Sequence, residues 1–191
     1  MTNDRIDSSD TEHIEVNGKW EHFQLIQKGF EHSKARLSYY DGRIEIIKLG
    51  RFHEICKNLI SILIEAYLFD RRVNFFPTGS MTQQVEKVAS AEAATSYEID
   101  QHKLSIEVQV TSGSLSKLRT YRALGVHEVW FWEDGVLAIY YLKNDEYVKC
   151  NSSQIPELSG IDIAILNQCI LMGETDLIAA RKMFRSAHPK D

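Results

Sequence analysis

A mixed β-sheet flanked by helices, an α/β or α+β layer architecture, is the fold class this sequence predicts. Three observations predict it. Apolar residues between positions 53 and 68 recur at helical spacing: Ile55, Leu59, Ile62, Leu63, Ala66 and Tyr67. Residues 104–110 alternate as a strand, with Leu104, Ile106, Val108 and Val110 on one face and Ser105, Glu107 and Gln109 on the other. Residues 129–132 and 136–142 flank Asp134-Gly135, the signature of a tight hairpin.

The elements follow in order. Residues 1–13 (MTNDRIDSSDTEH) are polar and read as a flexible N-terminal tail, leaving 14–191 as one domain. Trp20, Phe23 and Leu25 open the ordered part. Residues 36–47 read as two short strands around Asp41-Gly42. The amphipathic helix of 53–68 comes next, laid on the sheet. Residues 73–76 form a short strand, Pro77-Thr78-Gly79-Ser80 a turn, 81–85 a further strand, and 97–99 a weak one. The strand 104–110 leads through Thr111-Ser112-Gly113 into a helix over 115–124, closed by Gly125. After the 129–142 hairpin, 147–150 adds a short strand, and 161–184 reads as two helices around Gly173.

Bulk composition excludes several classes. The chain has 191 residues, 43% hydrophobic and 26% charged, which is too apolar for a disordered protein. The net charge of −5 lacks the basic excess of a protein that coats nucleic acid with its whole surface. A nucleic-acid contact would need a local basic patch. The longest apolar run, 59–68, is interrupted by Ser61 and Glu65 and is too short for a bilayer. Residues 1–10 have no apolar stretch of the leader type. Cys56, Cys150 and Cys169 make no CxxC pair, so no disulfide framework or zinc site is expected. Three reduced, mostly buried thiols in a cytoplasmic protein are expected instead.

Chemistry concentrates in residues 104–132. Glu107 is the one carboxylate in its strand, and burying it is costly without a partner. Lys117 stands ten positions later, near the start of the following helix. A strand–turn–helix unit of that size folds back on itself, so Lys117 returns toward Glu107. A carboxylate and a lysine meeting at a sheet edge suit metal-assisted phosphodiester cleavage, the carboxylate holding a hard cation and the lysine acting beside the phosphate. A structural Glu–Lys pair is the alternative the same spacing allows.

The segments YYDGRIEI (39–46), the His53-Glu54 pair opening a helix, PTGSMT (77–82), IEVQVTSG (106–113), KLRTYRALGVHEVWFWE (117–133) and SQIPELSGIDIAIL (153–166) together resemble the Uma2 family. That family has a fold similar to restriction endonucleases with a PD-(D/E)xK motif. The resemblance implies a restriction-endonuclease-like mixed sheet flanked by helices. It also implies metal-dependent hydrolysis of DNA, with Mg²⁺ or Mn²⁺ as cofactor, and a homodimer. Glu107 matches the motif glutamate and metal ligand. Gln109 stands where the motif lysine usually is, and Lys117 matches the family's displaced lysine. The motif aspartate, usually after proline and about a dozen residues before the glutamate, falls on Ala94, with Ala93 in the proline's place. Candidates for a replacement acid are Glu92, Glu45 and Glu54. His53 is a further candidate, for metal or phosphate.

Arg51, Arg71, Arg72, Arg119 and Arg122 are the other cations that a phosphate backbone could meet. Trp130-Phe131-Trp132 and Tyr140-Tyr141 read as a strand pair packed on both faces, or as a dimer surface. A nuclease fold that keeps nucleic-acid or protein binding without cutting is the second functional expectation, favoured by Ala94 and Gln109.

Overall fold

The computed structural model describes residues 12–31, 33, 35–108 and 114–190; Gln109, Val110 and the 111–113 turn lie outside the described residues. It has a mixed α+β architecture with two sheets and five helices. One sheet runs β1 (Glu12–Asn17), β3 (Arg43–Lys48), β2 (Ala35–Tyr40), β6 (Ala89–Ala91), β5 (Gln83–Val85), and the other β11 (Glu146–Cys150), β10 (Val136–Lys143), β9 (Glu128–Glu133), β8 (His102–Val108), β7 (Thr95–Ile99), β4 (Phe75–Pro77). The sequence predicts a single mixed sheet. The chain instead splits its strands, because the pairing of Tyr39 with Ser90 and Tyr40 with Ala89 draws β6 to the first hairpin.

The first sheet is built from β1 (Glu12–Asn17), β2 (Ala35–Tyr40), β3 (Arg43–Lys48), β5 (Gln83–Val85) and β6 (Ala89–Ala91). Asp41 and Gly42 both take positive φ, 47° and 76°, the conformation a two-residue hairpin needs. Asp134 and Gly135 repeat it at 50° and 82°. β1 begins at Glu12, so Glu12 and His13 belong to the sheet rather than to the expected tail. Helix α1 (Trp20–Gly29) packs Trp20 and Phe23 on Leu37, Tyr39 and Ile44.

The second sheet contains β4 (Phe75–Pro77), β7 (Thr95–Ile99), β8 (His102–Val108), β9 (Glu128–Glu133), β10 (Val136–Lys143) and β11 (Glu146–Cys150). β8 and β9 are parallel, with Glu107 opposite Phe131, and α3 (Ser114–Ala123) crosses between them. The crossover ends where expected. Gly125 sits at φ 68°, its N–H bonds the Arg122 carbonyl, and the Val126 N–H bonds the Tyr121 carbonyl. That pair of bonds is a Schellman motif.

Side-chain alternation divides the core between the two faces of the second sheet. Leu104, Ile106, Val108, Trp130 and Trp132 pack against α2 (Arg51–Asp70), α4 (Ile163–Gly173) and α5 (Leu177–Ala187). Val129 and Phe131 point the other way, into a smaller core with Leu118, Tyr121 and Leu124 and with Ala89, Ala91 and Ala93. The aromatic run of β9 is therefore packed on both faces and fully buried. Glu107 shares the α3 side with Phe131. It sits where β8, α3, the first sheet and the start of α2 meet.

Candidate functional site

The strand–turn–helix return brings Lys117 back to Glu107. Lys117 Nζ donates to Glu107 Oε1 at 3.1 Å, and the Tyr121 hydroxyl donates to the same oxygen at 2.6 Å. Lys117 and Tyr121 are one helical turn apart and share a face of α3. Glu107 is only 3% exposed. Burial alone would raise its pKa, but the charges of Lys117 and Arg36 and the Tyr121 bond outweigh it and hold the carboxyl below its ordinary value. Tyr121 moves the other way: burial and the adjoining Glu107 carboxylate push its phenol well up, so it remains a donor.

A second set of side chains reaches the same place from β2 and the first turn of α2. Arg36, 8% exposed, donates from NH1 to His53 Nε2 at 3.1 Å and from NH2 to the Ala94 carbonyl at 3.4 Å. His53 is 2% exposed, and its Nδ1 lies 3.3 Å from Glu54 Oε1. Burial first, then the Arg36 charge, lower His53 to about 4, so the ring is neutral at pH 7. With Nε2 accepting from Arg36, the ring proton sits on Nδ1 and points at Glu54. Glu54 is drawn outward by Lys57 and stays below the ordinary carboxylate range, the Lys57 bond outweighing partial burial.

Arg36, His53, Glu92, Glu107, Lys117 and Tyr121 line one cavity, with about 30 Å³ free for water-sized occupants. Glu92 reaches it because the chain leaves β6 at Ala91 and does not resume a strand until Thr95, so residues 92–94 bend. Its Oε1 accepts from Thr82 at 2.8 Å. A neighbouring cleft of about 120 Å³ shares Ser38, Lys117 and Thr120 with the first and adds Arg43, Glu45 and Arg119. Glu45 faces this second cleft, held by Ser38 at 2.9 Å. Of the predicted candidates, Glu107, Lys117, Glu92 and His53 thus share one cavity, Glu45 lies beside it, and Glu54 supports it through His53. Gln109 lies outside the described residues.

Arg36 and Tyr121 are among the lining residues that sequence reasoning missed, and they are the two that act on Glu107. Tyr121 had a signal, four residues from Lys117 on the same helix. Arg36 had none, because it comes from another sheet and nothing in its local pattern links it to Glu107. Arg122 and Arg71, two of the cations a phosphate backbone could meet, are engaged elsewhere: Arg122 with Asp145, and Arg71 over the ring of Tyr67.

A divalent ion does not fit the donors of this cavity. Mg²⁺ asks for near-octahedral oxygen ligation, usually with one or two carboxylates kept available. One of the Glu107 oxygens, Oε1, is held by Lys117 and Tyr121. Ala94 offers only a methyl group at zero exposure, and its carbonyl already accepts from Arg36 and from Ser80. Two cations, Arg36 and Lys117, stand at the place a third would enter. Among the described residues, no three carboxylate, imidazole or thiol ligand atoms gather at Glu107; those that do gather are His13, Glu15 and Glu45 on β1 and β3.

No helix among the described residues is long and apolar enough to cross a membrane. Cys56, Cys150 and Cys169 are free, and two of them are buried. Comparison with curated proteins finds none that matches. A family model does match, over residues 20–164, which takes in every strand but β1, α1 to α3 and the whole Glu107 cavity. Its description is "Putative restriction endonuclease", a nuclease-like family that acts on nucleic acid and generally uses divalent metals. The chain belongs to the Uma2 family.

Proposed function

We propose that this chain binds DNA through phosphate contacts at the Glu107–Lys117 cavity and its neighbouring cleft. It keeps the nuclease fold without metal-dependent hydrolysis. The observation that carries this reading is Ala94. The resemblance gives this position to the motif aspartate; here it is a buried alanine packed in the main core rather than lining the cavity, and only its carbonyl, bonded by the guanidinium of Arg36, faces that way. Losing a metal-ligating carboxylate generally costs orders of magnitude in rate. Lys117, Arg119 and Arg43 line a cleft beside the cavity together with Asp41 and Glu45; Lys117 pairs with Glu107 and Arg43 with Glu15.

Glu92 favours a second reading, a residual Mg²⁺- or Mn²⁺-dependent endonuclease, because it lines the same cavity as Glu107. Plasmid cleavage and DNA retention at low salt, with the wild type, Glu107→Ala and Ala94→Asp, separate the two. The binding reading expects DNA retention with a plasmid left uncut by the wild type and by both variants. Cleavage by the wild type that disappears in Glu107→Ala contradicts it. A homodimer in the cytoplasm completes the proposal, on the family resemblance and the free thiols; sedimentation of the purified chain checks the dimer.

A further inference from the structure

We propose that the free edge of β1 is a dimer interface, pairing antiparallel with β1 of a second copy of this chain and joining two five-stranded sheets into one. The proposal deepens the homodimer reading above and rests on it for self-association as such.

The two sheets leave four edges, and three of them suit pairing poorly. β4 and β5 are three residues long, and β4 ends on Pro77, which has no N–H to give. β11 carries an exposed Lys149, a charge of the kind that blunts an edge. β1 is six residues long, contains no Lys, Pro or Gly, and pairs on one side only, with β3. Its outer N–H and C=O groups meet no strand among the described residues. Such an edge is a template for another strand.

The side chains of β1 select the occupant and the register. Residues directly opposite in an antiparallel pair share a face of the sheet. Ile14 and Val16 lie on the face of Ile46 and Ile44, and are 53% and 38% exposed. His13 and Glu15 lie on the other face, with Ile47 and Glu45. With Ile14 opposite the partner's Ile14, His13 stands opposite the partner's Glu15, and Glu15 opposite the partner's His13. An imidazole N–H meets a carboxylate twice, and the two exposed isoleucines cover one another. Glu12, opposite the partner's Val16, keeps its bond to Lys48. Sliding by two residues sets Glu15 against the partner's Glu15, or His13 against the partner's His13. Sliding by one sets Ile14 against a polar residue. Both side chains are available: His13 and Glu15 are each 41% exposed, and His13 approaches Glu45 of its own chain only to 3.9 Å.

The same pairing orients the sites. The two-fold axis of an antiparallel strand pair stands perpendicular to the sheet, so like faces of the two copies lie on one side. Arg36, Ser38 and Glu45 share the His13 face through the β1-β3-β2 ladder. The two Glu107 cavities and the two clefts that these residues line thus lie on the same side of the joined sheet, as contact with both strands of one duplex requires.

Sedimentation and thiol cross-linking of the full chain test this, in a Cys150→Ser background because the other two thiols are buried. Ile14→Cys is expected to cross-link between copies through a short bis-maleimide. Val16→Cys, about 13 Å from its own copy in this register, is not. Glu15→Lys sets a cation against the partner's His13 twice and should weaken the dimer about tenfold. The double variant His13→Glu/Glu15→Lys restores opposite charges and should recover the dimer. Circular dichroism reports the fold, and the cross-linking arm stands if a charge variant misfolds. A dimer that cross-links at Val16→Cys but not at Ile14→Cys, that Glu15→Lys leaves unchanged, or that the double variant fails to recover overturns the β1 interface while the homodimer reading survives. A monomer at every concentration, with no cross-link, overturns both.

Discussion

The hydroxyl of Tyr121 and the ammonium of Lys117 converge on one oxygen of Glu107, at 2.6 and 3.1 Å. One helix face thus supplies both donors that make a buried carboxylate tolerable near the C-terminal end of β8. Most of what is testable about this protein follows from that three-way contact and from Arg36 on its far side.

Removing one partner of a buried ion pair leaves the other uncompensated, whereas removing both is far milder. Lys117→Met is therefore expected to cost about 3–5 kcal/mol of folding stability, and the double variant Glu107→Leu/Lys117→Met much less. Urea unfolding of the two single variants and the double variant measures the coupling. Equal and additive costs would mean that the pair is not held as described.

Acid stability should report His53 and Glu107 in separate windows. His53 falls from the ordinary 6.5 to about 4 on folding, so between those values the unfolded chain binds a proton that the folded chain does not. Stability is then full above pH 6.5 and falls as pH drops toward 4, by about 3 kcal/mol in total. Glu107 and Glu54, both lowered, keep their contributions above the ordinary carboxylate range and lose them below it, so they act at still lower pH. Urea midpoints at pH 7 and 5 check the first window, and His53→Gln should flatten it.

Glu128 is buried without a counter-cation among its bonded partners, yet it is well satisfied. It accepts from Trp130 Nε1 at 2.6 Å, from Ser153 Oγ at 2.7 Å and from the Gln154 N–H at 2.7 Å, tying the segment after β11 to β9. Burial raises its pKa despite these bonds. In Glu128→Gln one oxygen becomes an NH₂, which opposes donors on whichever side it takes. The expected cost is about 2–3 kcal/mol, read from denaturant unfolding. A neutral result would argue that ordered water already shares these donors.

The fold was legible wherever local pattern and global packing agree. The Asp41-Gly42 and Asp134-Gly135 turns, α2 and the alternating β8 all carry their period in the sequence and appear in the structure. Three elements were not legible, for physical reasons. β1 is exposed along its whole length and has no buried face to reveal it. α1 buries only Trp20 and Phe23 and opens on Lys19 with His22 in place of a usual cap. β6 is Ala-Ser-Ala, three small residues whose strand character comes from fitting beneath α3. At the site, the Glu107–Lys117 return was readable from spacing. The Arg36–His53–Glu54 chain was not, because it joins two elements through tertiary packing alone.

DNA binding at the two clefts should be strongly salt-dependent. Each phosphate neutralised contributes about −0.7 to −0.9 to the slope of log K against log salt. Lys117→Ala and Arg119→Ala should each reduce the slope by about one. Arg122→Ala, whose guanidinium is engaged with Asp145, should leave it unchanged. Filter binding across a salt series measures all three.

The central claim is that the Glu107 cavity is compensated by its own cations and takes no metal. Calorimetric titration with Mn²⁺ of the wild type, Glu107→Ala and Ala94→Asp tests it most directly. The account predicts no binding to the wild type that depends on Glu107, and none gained in Ala94→Asp, whose side chain enters the main core. One Mn²⁺ bound by the wild type and lost in Glu107→Ala would contradict it.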